Sequence, residues 1–134
     1  MQIQAETLPQ HAIQSYTSTS VRIAGETYTD SLLVSAESIH SPLPLHTLTE
    51  LNPEDLLAQF TQPPKILIIG HCESSTHFLS PEHHLIFMQQ GIGVECMSLD
   101  AACRTFNILL SEHREVVLLL ILPYTKACLV NNGK

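Results

Sequence analysis

His71, Cys72, His77, His83 and His84 are the densest group of side chains in this chain whose types could do chemistry. Imidazole and thiolate are ligands that zinc favours, and a thiol near an imidazole is also the pair a Cys-His hydrolase or a redox thiol needs. Spacing argues against each. Zinc ligands usually come as C-x-x-C or H-x-x-x-H on a turn or helix, and only His71-Cys72 with His77 approaches that, in a loop. The expectation is therefore no structural or catalytic metal, and at most adventitious nickel or zinc. A nucleophilic cysteine sits at a helix N-terminus or beside a base held by a third group, whereas Cys72 is followed by loop as far as Pro81. No G-x-S-x-G elbow is present. Nucleotide cofactors are disfavoured too: after Gly70 the next glycine is Gly91, Glu73 would oppose a phosphate, and neither G-x-G-x-x-G nor a Gly-Lys phosphate loop occurs. The sequence assigns no catalytic residue and no cofactor.

Any site would have to be positioned by the stretch from Lys65 to Leu122. It reads as a strand (65–70), a polar loop, a helix (81–90), a strand (93–97), a helix (99–111) and a strand (115–122). Apolar runs alternating with helical patterns predict an α/β fold with a parallel or mixed sheet covered by helices. Val116 to Leu122 is apolar throughout, as a strand buried on both faces is. In the last helix Leu99, Ala102, Cys103, Phe106, Leu109 and Leu110 make one apolar stripe, with Ser98 as its expected cap. Asp100, Arg104, Asn107 and Ser111 form the opposite stripe, read as a solvated face with an Asp100–Arg104 ion pair. In the helix from Pro81, Ser80 caps the start, Gly91 ends it, and Leu85, Met88 and either Ile86 or Phe87 are expected to face the sheet.

Before this stretch, residues 1–11 read as a loose leader and 12–134 as a single domain. Ala12 to Tyr16 and Val21 to Ile23 are short strands. Ala24-Gly25 offers a tight turn, and Glu26 to Ser35 is expected to continue as one longer strand with Tyr28 and Leu32 on one face and Leu33 on the other. Residues 36–51 read as a connection with at most one short strand, anchored by Leu45 and Leu48. Asn52 then caps a helix begun by Pro53 and stopped by Pro63-Pro64.

Composition narrows the partners. The chain has 134 residues, 44% of them hydrophobic and 14% charged, which suits a folded domain with a real core. Six basic against thirteen acidic residues leave a net charge of −7, so nucleic acid and anionic membrane surfaces are poor partners. No apolar run reaches the roughly 20 residues needed to span a bilayer. Cys72, Cys96, Cys103 and Cys128 occur without a signal peptide, and Cys96 and Cys103 lie inside apolar patterns, so reduced thiols and a cytoplasmic location are expected.

Particular segments carry a family likeness. Gly91-Ile-Gly-Val-Glu-Cys-Met97, Ala101-Ala-Cys-Arg-Thr-Phe-Asn-Ile-Leu109 and Glu112-His-Arg114, with Val21 to Gly25 and Tyr28 to Val34, resemble a domain-of-unknown-function family. That family includes a mitochondrial respiratory complex I assembly factor and bacterial and archaeal relatives. The resemblance implies a three-layer α/β fold with a mixed central sheet flanked by helices and an N-terminal β-hairpin. It also implies an assembly or adaptor role rather than an enzyme. By position, Gly70, Arg104, Asn107, Glu112 and Arg114 match the family pattern and would lie around one edge, where the loop after Gly70 meets the last helix. With His71 and Cys72 they form the candidate surface or cleft. This chain departs from the pattern at Gly70-His71-Cys72 and at Ser98-Leu99, where the family has Gly-Thr-Gly and Asp-Thr. The leading expectation is a non-enzymatic domain that binds an unidentified protein partner. The alternative is a small-ligand binder or enzyme using a cleft near Gly70, Cys72, Arg104 and Asn107.

Overall fold

The computed structural model describes residues 9–72 and 79–123. Among the described residues twelve elements follow one another: β1 (Ile13–Tyr16), β2 (Val21–Ile23), β3 (Glu26–Tyr28), β4 (Leu32–Val34), β5 (Ile39–His40), a 3-10 turn (Leu48–Glu50), α1 (Pro53–Leu57), β6 (Ile66–His71), α2 (Pro81–Gln89), β7 (Gly93–Ser98), α3 (Leu99–Ser111) and β8 (Val116–Ile121). Five strands form a mixed sheet in the order β5-β4-β8-β6-β7, and β1-β2-β3 form a separate antiparallel sheet. β6 runs parallel to both β7 and β8, while β4 meets β8 antiparallel.

Every residue of β8 is buried, so the unbroken apolar run is a central strand packed on both faces, as expected. Alternation along the strands separates two cores. Ile68, Leu118, Leu120, Leu32 and Val34 face α3 and the small sheet, together with Phe106 and Ile23. Leu67, Ile69, Leu119, Ile121 and Leu33 face the opposite layer, where they meet Phe87, Ile92, Leu56 and the anchoring Leu45 and Leu48. The three-layer α/β architecture thus follows from two apolar faces on one sheet, each needing its own cover.

Local chemistry sets most element ends. Ala24 and Gly25 both take positive φ, at 53° and 82°, which makes the two-residue hairpin turn whose twist suits the flanking strands. The Asn52 side chain accepts from the N–H groups of Glu54 and Asp55 at 2.9 and 3.2 Å, capping α1. Ser80 caps α2 by accepting from the His83 N–H at 3.2 Å, and Gly91 ends it at φ 78°.

Four expectations need correction. The strand expected over 26–35 is two strands in different sheets. It breaks at Ser31, whose buried hydroxyl donates to the Leu45 carbonyl at 2.6 Å and accepts from the Leu122 N–H at 2.8 Å. Those bonds draw the chain across the layers, although Tyr28 and Leu32 still face the same core. Ser98 does not cap α3: its hydroxyl donates to the Asp100 carboxylate at 2.6 Å instead. Leu109 is only partly buried, because the stripe of α3 centres on Ala102, Cys103, Phe106 and Leu110. On α2, Phe87 alone is fully buried, while Leu85 and Met88 are 53% and 56% exposed. Apolar residues run consecutively from Leu85 to Met88 and so wrap round the helix, and the ring of Phe87 takes the buried side because it removes the most apolar surface from water.

Candidate functional site

The residues singled out in the sequence divide into three places. Gly70, the residue before the last of β6, faces α3, where a Cβ would lie 2.5 Å from the Ala102 Cβ and 3.0 Å from Leu120 Cδ2. Glycine is there because the helix lies against the strand backbone, with no space left for a ligand. His71, the last residue of β6, is 3% exposed. Cys72 is exposed, with its Sγ 3.5 Å from the Ser18 carbonyl in the β1–β2 turn. His77 and Cys128 lie outside the described residues. Among the described residues no three His, Cys, Asp or Glu side chains gather as a metal site.

The second place is the exposed face of α3. Arg104 Nη1 stands 3.4 Å from Asp100 Oδ2, with side chains 61% and 53% exposed. A hydrogen bond with Tyr16, and then the one with Asp100, hold the Arg104 guanidinium pKa above its usual value. The Ser98 hydroxyl and then the Ala101 N–H hold the Asp100 carboxyl below the usual carboxylate range, with Arg104 adding less. Beneath them, burial pushes the Cys103 thiol up to about 12, so it stays protonated and is a core residue. Asn107 does not join this surface. Its amide oxygen accepts from the Ile13 N–H at 2.8 Å and its amide nitrogen donates to the Ile13 carbonyl at 3.0 Å. The side chain thereby serves as a backbone partner for β1.

The third place is the far end of α3. Glu112 and Arg114 face each other at 3.9 Å, both more than half exposed. Thirteen helical residues separate that end from the start of α3 beside Gly70. The expected single edge is therefore not assembled: helix length alone places Gly70 and Arg114 at opposite ends of the layer.

Of two depressions among the described residues, neither includes Gly70, Cys72, Arg104 or Asn107. The larger, of about 750 Å³, is a groove at the amino ends of β6 and β8, lined among others by Leu33, Phe60, Pro64, Leu110, Arg114 and Val117. The smaller is shallow and wide open to solvent; it lies between α2 and the edge strand β7 and is lined by His84, Met88, Ile92, Gly93, Val94 and Glu95. Met88 of that lining and Leu85, one turn before it at i, i+3, are both exposed and so are neighbours on one helix face. Sequence reasoning missed both places. The consecutive apolar residues of α2 were the available signal, since such a run on a helix must leave some of its members outside. The groove joins segments too far apart in sequence to show any.

A three-layer α/β domain with a five-stranded mixed sheet and an appended antiparallel hairpin sheet is the class these features define. Residues 13–121 match the model of a family described as "Protein of unknown function (DUF498/DUF598)", and the chain belongs to that family. Among solved structures it is similar to a Xanthomonas campestris protein, XCC1710, at 26% identity over 83% of each chain with a TM-score of 0.71. It is also similar to a Bordetella pertussis protein described as a Mth938-like domain, at 20% identity over 95% of this chain and 97% of that one with a TM-score of 0.75. A third neighbour, described as an outer membrane protein from Bartonella henselae, has 25% identity over 88% of this chain and 100% of that one with a TM-score of 0.70. No curated protein matches this chain. Among the described residues no helix is long and apolar enough to cross a membrane.

Proposed function

We propose that this chain is a non-enzymatic protein-interaction domain of the assembly-factor kind, and that it holds its partner on the α2–β7 face. The observation that carries the reading is the pair Leu85 and Met88, each more than half exposed and adjacent on one helix face beside a depression. Leu85 and Met88 make one small apolar patch with His84 and Glu95 beside it, and apolar side chains bordered by polar ones are the arrangement of an interface core and rim. The likeness to a family with a respiratory complex I assembly factor supports the same role, with a respiratory or membrane complex as the setting. Affinity capture tests it. Leu85→Asp/Met88→Asp, which leaves the buried Phe87 in place, is expected to lose partners that the wild type and Arg104→Ala both retain. Recovery of the same partner set by the Asp variant would remove this face from the function.

A second reading, as a small-ligand binder, is favoured by the groove rather than by the residues around Gly70. Its volume of about 750 Å³ falls within the roughly 300–1,000 Å³ usual for small-molecule sites. A stoichiometric small molecule released from the purified protein on denaturation, and absent from a Gln59→Trp variant that narrows the groove from an exposed position, would favour it over the first.

A further inference from the structure

The α2–β7 face also has a charge and a shape, which specify what kind of segment it would take. This step rests on the interaction reading above and names the partner's chemistry. From Ile66 to Cys103 the chain contains no Lys or Arg, and the described acids of that stretch are Glu82, Glu95 and Asp100. Glu82 lies in the first turn of α2 and Glu95 on β7, in the wall of the depression next to Met88. Both are exposed. Leu85 and Met88 thus stand with an acid before them along the helix and a second acid across the depression.

We propose that this face docks an amphipathic helix of a partner protein that carries Lys or Arg on either side of its apolar stripe. A ridge of apolar side chains on a helix packs best into the grooves of another helix, and i, i+3 neighbours such as Leu85 and Met88 form such a ridge. The depression beyond Met88 then receives a side chain from the incoming helix, and its flanking cations meet Glu82 and Glu95. Other occupants fit less well. A second copy of this chain using the same face would set its own Glu82 and Glu95 against the same two acids, and the exposed Lys65, whose carbonyl accepts from the Gly93 N–H at one end of the face, is outnumbered by them. An anionic lipid surface would be repelled by the same two acids.

The test uses two synthetic helical peptides with the same leucine stripe, one flanked by lysines and one by glutamates. Binding is read by fluorescence anisotropy at physiological ionic strength and located by amide chemical shifts. The lysine peptide is expected to bind and to shift amides from Leu85 to Glu95. Glu82→Lys/Glu95→Lys should weaken it by about tenfold or more and transfer preference to the glutamate peptide. Glu37→Lys, on the far side of the fold, should change nothing. Equal binding of the two peptides, no effect of the charge reversal, or shifts that map elsewhere would overturn the proposal. So would a dimer in sedimentation that Leu85→Asp dissolves. If charge reversal has no effect while Leu85→Asp/Met88→Asp still loses its captured partners, the basic-helix inference fails and the interaction reading survives.

Discussion

Asp100 shows how one side chain can be recognised in sequence and still be misread in role. Its place at the start of α3 and its i, i+4 relation to Arg104 are legible, and the ion pair forms as expected. What lowers its carboxyl most is the Ser98 hydroxyl at 2.6 Å, a bond that diverts Ser98 from capping the helix. Because the folded carboxyl titrates below its unfolded value, any stability it contributes is present above the ordinary carboxylate pKa, about 3.9, and is lost as pH falls through the lower folded value. The expected outcome of a carboxyl NMR titration is a midpoint for Asp100 below that of free aspartate, which Ser98→Ala raises more than Arg104→Ala does. The reverse order would mean that the ion pair dominates.

At the scale of elements, periodicity located each of the helices and strands of the C-terminal half, because a stripe at 3.6 residues or an unbroken apolar run reflects burial that the segment itself encodes. Periodicity resolved less well which members of a stripe lie deepest. On α3, Phe106 is fully buried and Leu109 lies at the margin of the core. In a urea titration Phe106→Ala is expected to cost about 3–5 kcal/mol. Leu109→Ala should cost clearly less than the figure for a fully buried leucine, because a partly wet site loses less transfer energy and leaves no closed cavity. Equal losses would place Leu109 in the centre of the core. The same limit explains α2, where four consecutive apolar residues name no face and only the sheet beneath selects Phe87. It explains the 26–35 run as well. Its alternation was correct, but nothing local to it announces that Ser31 will bond to Leu45 and Leu122 and carry the chain from one sheet to the other.

At the scale of the molecule, two sheets are held together through α3, and Asn107 is a polar link from that helix to β1 of the small sheet. Its two bonds to Ile13 span 94 residues of sequence. Asn107→Ala would leave the Ile13 N–H and carbonyl without that partner, at an expected cost of about 1–3 kcal/mol. Hydrogen exchange at the Ile13 amide should quicken, while the central β8 amides follow only the global loss. Unchanged exchange at Ile13 would show that β1 docks without the clamp. The sequence by itself determined the α/β class, the order of helices and strands in the C-terminal half, the hairpin turn and the burial of β8 on both faces. Each of these depends on spacing between near neighbours, and near neighbours are what a sequence records. Tertiary structure alone decided that Asn107 braces β1, that Gly70 admits Ala102, that Arg114 stands far from both, and that Leu85 and Met88 are left facing water. Those outcomes depend on which distant surfaces meet once the layers stack, and the stacking is set by the competition of all apolar faces for one interior.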